Sequence, residues 1–293
     1  MPTIICGNIS KRRDKILQKL PFDGENPEYT NIHFLKSHLQ KCIRQKQTSL
    51  AIQTAKHLIE LDPIQFLRRL SIIFIEDVMI TKHYSTIIWL MIACSSKKFQ
   101  LQLHHKEWLL GLIYIACECP YKDTYNAPHT QKLPQLILQE ASKINNAEQY
   151  ATILSILIRG SYGGMHGDTK MLINAAYTWT QRFQNADKWE KYYSQDIRTI
   201  SYSVLPLQKD EWLLSAIDFH CFPKMLEWIK EQEDMEEEYI KHLIWHFSSK
   251  INNRKYYETP QQKIKLSLQD KENWNKIKNK IANIAKYAIK NYS

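Results

Sequence analysis

Glycine is scarce. The chain holds 7 in 293 residues, where average usage would supply about twenty. Parallel-sheet nucleotide folds and β-sandwiches spend glycine freely in tight turns and phosphate loops, so the shortage argues against both and points to a helical protein. No segment reads G-x-x-x-x-G-K-[ST], which removes the backbone cradle and the lysine that a P-loop brings to nucleotide phosphates. No G-x-S-x-G elbow occurs either. No apolar run approaches the roughly 20 residues of a membrane-crossing helix; the longest candidate, Ile87 to Cys94, is ended by Ser95 and Lys97. Met1 to Cys6 runs straight into Lys11, Arg12, Arg13 and Asp14, which does not read as a cleavable signal. The 6 cysteines are scattered along the chain and read as free thiols in a reducing compartment. The expectation is a soluble intracellular protein of cytoplasm or nucleus, with no membrane partner and no cofactor.

Positive charge is present, and unevenly placed. Formal net charge is +10. Met1 to Leu50 carries a net +5, Lys250 to Ser293 a net +8, and the body between them a net −3. Basic ends on a mildly acidic body fit a polyanionic partner, nucleic acid or an anionic surface, and fit equally the solvated faces of amphipathic helices. Toward the C-terminus, Tyr256, Tyr257, Trp274 and Tyr287 interleave with Arg254, Lys255, Lys276, Lys278, Lys280, Lys286 and Lys290. That mixture stacks bases while tracking phosphates in single-strand binders. The competing reading puts the aromatics in the core and the lysines in water.

Apolar spacing predicts helices nearly throughout: an all-α, multi-helix bundle. A first helix carries Leu35, Leu39, Cys42 and Ile43. A second runs from Leu50 to Leu61, ended by Asp62-Pro63, and a third starts there with Asp62 as N-cap and Pro63 in the first turn. Others are expected at Ser85 to Ala93, Lys106 to Cys117, Leu136 to Lys143, Glu148 to Ile158, Lys170 to Phe183, Trp212 to Phe219, Lys224 to Glu231 and Met235 to Phe247, with a basic terminal helix from about Lys271. Pro120, Pro128 and Pro134 mark a boundary or a long internal loop. The expected organisation is an N-terminal segment 1–30, a helical domain 31–126 and a second helical region 127–293.

Two places invite a sharper reading. Four of the glycines fall between Gly160 and Gly167. Gly163, Gly164, His166 and Gly167 could form an anion-binding loop with Arg159 and Lys170 beside it, or a tight helix junction in which Asp168 caps the next helix. A capping carboxylate would oppose a bound anion, which favours the junction; an enzyme built on His166 and Asp168 is a further reading. His242 and His246 lie one helical turn apart, but Leu243-Ile244-Trp245 lacks the Glu of a zinc-protease motif, and Cys117-Glu118-Cys119 is too closely spaced for a zinc knuckle. No metal site is expected.

Taken in order, Leu39-Gln40-Lys41, Ala51 to Ala55, Asp62-Pro63 with Phe66, Arg68-Arg69-Leu70 and Glu76-Asp77-Val78 resemble the C-terminal helical collar domain of clamp-loader-related AAA+ ATPases, the family of replication-associated recombination protein A (MgsA) and the Werner-helicase-interacting protein. Trp108 to Pro120 takes the place of a later helix that ends before a proline. The resemblance covers about residues 35–126. It implies a collar-like front half without its motor, and a setting in DNA replication or repair. Arg68, Arg69, Glu76 and Asp77 read as structural ion pairs, with Arg69 to Asp62 or Lys82 to Glu76 as candidate bridges. The function expected is a non-catalytic, nucleic-acid-associated accessory protein that binds DNA through its basic ends and oligomerises or holds a protein partner through its helices. The alternative is a helical scaffold with no nucleic-acid role.

Overall fold

The computed structural model describes residues 31–96, 98–128, 132–163, 166–185, 188–205, 207, 211–221, 224–258 and 265–292, with the side chains of 31, 224 and 286–292 left aside. The expected N-terminal segment 1–30, Gly164, and the side chains of Lys286, Tyr287 and Lys290 therefore lie outside the described residues. Among the described residues helix accounts for 67% and strand for 2%, and the α-helices number twelve. The chain is all-α.

Two compact units emerge. The larger takes Cys42–Leu207 and Asn252–Lys263; the other takes Met1–Lys41, Gln208–Ile251 and Ile264–Ser293. The proline-spaced stretch around Pro120 to Pro134 falls inside the larger unit rather than at its edge.

Helix α1 spans Asn31–Arg44. In the larger unit, α2 (Thr48–Leu61) hands over to α3 (Pro63–Glu76) at Asp62, whose carboxylate accepts the Gln65 N–H at 2.9 Å while Pro63 occupies the first turn, where its missing N–H costs nothing. From Leu70 to Ile75 every side chain of α3 is buried, the mark of a helix surrounded on all sides. Helix α4 (Tyr84–Cys94) packs on α3, and α5 (Leu103–Glu118) packs on α2. Then come α6 (Leu133–Ala141), α7 (Ala147–Ser161), α8 (His166–Phe183) and the short α9 (Glu190–Tyr193). Pro134 sits in the first turn of α6 instead of breaking it. Asn146 caps α7 by accepting the N–H groups of Glu148 and Gln149. Residues β1 (Tyr121–Lys122) and β2 (Lys255–Tyr256) form a two-residue parallel pair, Tyr121 opposite Lys255.

After α9 the chain runs extended along α5. Ile200 N–H donates to the Glu107 carbonyl at 3.2 Å, and the Lys82 ammonium pairs with Asp196 at 2.7 Å. The helix surface beneath this strap is Gly111. A Cβ built there would stand 2.2 Å from the Arg198 carbonyl oxygen, so close approach is what requires glycine.

The second unit surrounds a core that includes Phe34, Ile217, Ile229, Leu243, Ile277 and Ile281. It is built from the N-terminal part of α1, a 3-10 turn (Leu214–Ala216), α10 (Lys224–Glu233), α11 (Glu237–Ile244) continued by a π turn (Trp245–Ser249), and α12 (Leu268–Tyr292). The helix expected from Trp212 to Phe219 is not there. Its backbone groups are taken by side chains of α1: His38 Nε2 accepts the Leu213 N–H at 2.8 Å, and Ser37 donates to the Ala216 carbonyl at 2.6 Å. Only three residues are left to turn.

His38 is fully buried, and burial pushes its imidazole down to about 3 from 6.5. The unfolded chain takes up this proton below 6.5 and the folded one does not until about pH 3, so the unfolded state holds more protons across that window and stability falls with falling pH. The expected loss is about 1 kcal/mol per pH unit. Urea unfolding of the full chain between pH 7 and 4.5 measures it, and His38→Gln should flatten the slope.

Candidate functional site

The basic C-terminal helix begins with a reciprocal cap. Ser267 Oγ accepts the Asp270 N–H at 3.0 Å, and the Asp270 carboxylate accepts the Ser267 N–H at 2.8 Å. Tyr239 donates to the other Asp270 oxygen at 2.7 Å, tying α12 to α11. That hydroxyl first, then the Ser267 backbone, holds the Asp270 carboxyl below its ordinary value. From this start, Ile277, Ile281, Ile284 and Ala285 recur at helical spacing and are buried in the unit's core. Lys276 and Lys278, both exposed, flank this buried stripe on its two sides. Each donates to an asparagine three residues earlier, Lys276 to Asn273 at 3.2 Å and Lys278 to Asn275 at 2.7 Å. Among the described residues neither makes an ion pair. Lys280 does, with Glu233 at the end of α10, and Lys255 is exposed on β2 in the larger unit.

Arg254 is different in kind. It is buried, and its guanidinium donates to the carbonyls of Ile43 at 2.6 Å, Arg44 at 3.3 Å and Cys117 at 3.3 Å, and to that of Ala116. The reading of Arg254 as a nucleic-acid contact is thereby corrected: it satisfies carbonyls at the ends of α1 and α5 that helix geometry leaves without partners. Three of the four aromatics expected to stack bases, those whose side chains are described, are also occupied. Trp274 stacks on Phe247 at 5.5 Å, the Lys122 ammonium lies 4.5 Å above Tyr256, and the Arg182 guanidinium lies 5.2 Å above Tyr257. What remains exposed among the described side chains of α12 includes Lys276 and Lys278.

Glu76 and Asp77 are ion-paired, and their partner is Arg44, with Nη2 to Glu76 at 2.6 Å and Nε to Asp77 at 2.5 Å. The candidate bridges came out otherwise, because Asp62 caps α3 and Lys82 pairs with Asp196. Arg68 contributes its carbonyl, which accepts from Ser71 and from Arg159. Arg69 is half-buried on the same helix.

At the glycine-rich stretch, Gly160 lies within α7, Gly163 turns the chain with φ +81°, His166 opens α8 and Gly167 stands in its first turn. The helix thus starts two residues before Asp168, the expected cap. Arg159 is committed to the junction, donating to Ser71 Oγ at 2.8 Å and to the Gly163 carbonyl at 2.9 Å. An open cleft of about 290 Å³ beside Gly167 and Lys170 is lined also by Glu76 and Asp123. Those carboxylates oppose a bound phosphate. The arrangement is that of a helix junction.

Sequence reading missed the buried polar clusters. Asp218 accepts from Ser249 at 2.6 Å, Lys41 at 3.1 Å, and both the backbone N–H at 2.9 Å and the Nδ1 of His220 at 3.1 Å. Burial alone would raise its carboxyl; the His220 hydrogen bond, the Lys41 charge and the Ser249 hydroxyl outweigh burial and hold it far below the usual range. In the larger unit, Arg182 grips Asp123 in bidentate fashion at 2.9 and 3.0 Å and reaches Glu258 at 2.8 Å. His242 and His246 lie 4.5 Å apart, ring to ring, and among the described residues no three His, Cys, Asp or Glu are placed to hold a metal ion. Nor is any described helix long and apolar enough to cross a membrane.

No protein-family model, curated protein or solved structure matches the chain.

Proposed function

We propose that the chain is a non-catalytic, nucleic-acid-associated accessory protein, in the DNA replication or repair setting that the collar-like resemblance implies, and that α12 supplies its contact with phosphates. The observation that supports this most directly is the two-sidedness of α12. Its isoleucines are spent on the core, while Lys276 and Lys278 stand in solvent with asparagines as their bonding partners and no ion pair among the described residues. Exposed cations left uncompensated on a rigid helix are what a polyanion displaces counterions to reach.

Truncating α12 would test this badly, because Ile277, Ile281, Ile284 and Ala285 would leave the core with it. Surface substitution avoids that. Lys276→Ala with Lys278→Ala should weaken binding to duplex and forked DNA about tenfold at low salt, read by fluorescence anisotropy, with thermal unfolding unchanged. Undiminished affinity in the double variant would remove α12 from the contact. Absence of any salt-sensitive binding by the wild-type chain would leave the helices as a scaffold for a protein partner or a second copy.

A further inference from the structure

On α12, Trp274 is spent against Phe247, and the most exposed large aromatic side chain of the described residues lies elsewhere. Trp89, near the end of α4, is 57% exposed. Phe99, in the connection to α5, stands edge-on to it with ring centroids 5.5 Å apart. His105 follows at 5.6 Å from Phe99, and His104 at 3.9 Å from His105. Four rings thus run in series across one surface of the larger unit. The run is held in place from below: His105 Nδ1 accepts the Gln102 N–H at 3.0 Å at the start of α5.

The stretch of sequence that carries these rings holds charge of one sign. From Val78 to Lys106, 29 residues, there is no Asp or Glu, while Lys82, Lys97, Lys98 and Lys106 fall in the same span. Of these, Lys82 is engaged by Asp196 and Lys106 lies 5.1 Å above the Tyr202 ring. Lys98 is exposed beside Phe99, with no ion pair among the described residues.

We infer that this surface is a stacking platform for unpaired bases of single-stranded nucleic acid, with Trp89 as its principal ring. A protein-docking patch would be depleted in lysine. Here the indole meets Phe99 edge-on in an acid-free, lysine-bearing connection, with Ile92 and Leu103 also open to solvent. An indole open to solvent offers its π-face to any base, while cations nearby meet the backbone, so the platform is sequence-tolerant. In duplex DNA the base faces are already stacked and closed to it. The inference rests on the nucleic-acid reading above and adds a substrate preference to it.

The test compares the full-length wild type with Trp89→Ala, Trp89→Phe and the Lys276→Ala, Lys278→Ala pair on a thymidine oligonucleotide of about 15 nucleotides and on a duplex of equal length. Trp89→Ala should bind the single strand about tenfold more weakly while its duplex affinity stays as in wild type, and Trp89→Phe should recover most of the loss. Quenching of tryptophan emission by the single strand should be smaller in Trp89→Phe than in wild type. Equal single-strand affinity and equal quenching in wild type and both Trp89 variants would overturn the platform. If duplex binding still depended on Lys276 and Lys278 in that case, the α12 reading would survive the platform's failure; wild type that binds neither nucleic acid would overturn both.

Discussion

Asp218→Ala should destabilise the unit built around α12 by about 3–5 kcal/mol, the cost of stranding one partner of a buried ion pair. In the native chain the Asp218 side chain is 1% exposed and the Lys41 side chain 7%, so removal of the carboxylate leaves an ammonium with little water and no counter-charge. Ser249 and His220 lose their acceptor as well. Adding Lys41→Met to Asp218→Ala should restore a large part of the loss, because an apolar chain of similar length is at home where the ammonium was. The pH dependence has a definite sign. Asp218 is depressed in the folded state relative to its ordinary 3.8, so its stabilisation is complete above about pH 4 and disappears as the pH falls from there toward the folded value. The variant should lack that acid-range loss but keep the loss between pH 6.5 and 3 that comes from His38. Chemical denaturation as a function of pH separates the two, and an Asp218→Ala protein as stable as wild type would show the cluster to be energetically idle.

The second large effect is expected at Gly111→Ala. Its new methyl carbon would stand 2.2 Å from the Arg198 carbonyl oxygen and 2.7 Å from Ile197 Cγ2. The first obstacle is backbone, which cannot rotate away as a side chain can. Within α5 alone, alanine is the better helix former by about 1 kcal/mol, so intrinsic propensity predicts a gain and the contact predicts a loss. The contact should win, by about 2 kcal/mol or more. Displacement of the strap is the expected mode, because exposed hydrogen bonds tie Gln195 and Asp196 to His83 and Lys82, and Ile200 and Tyr202 meet α5 through Glu107. Amide exchange should rise at Ile200 and Tyr202, whose N–H groups donate to Glu107, while the amides within α5 stay protected. A variant with unchanged stability and unchanged exchange would mean that the strap yields at no cost.

How much of this was legible beforehand follows sequence distance. The handover at Asp62-Pro63 is local, with cap and capped N–H three residues apart, and it was readable, as was the apolar stripe of α12. Arg44 with Asp77 is separated by 33 residues, Arg254 with Ala116 by 138 and Lys41 with Asp218 by 177. No periodicity connects such pairs. Arg254 shows the cost: a basic residue beside Lys255 and two tyrosines reads as surface, and only the three-dimensional course of α1 and α5 reveals the carbonyls that claim it. The lost helix at Trp212 to Phe219 has the same origin, since His38 and Ser37 compete for its backbone from some 175 residues away. Trp89 escaped for another reason. An isolated tryptophan in an apolar helix reads as core, and its exposure is decided by which helices pack on α4.

The most direct test of the nucleic-acid reading is the slope of log binding constant against log salt concentration for the wild-type chain and for Lys276→Ala with Lys278→Ala, on the same DNA. The expected result is a steep negative slope in the wild type that becomes shallower by about two units in the double variant, roughly 0.9 for each phosphate contact removed. Equal slopes in both proteins, or a wild-type slope near zero, would contradict it.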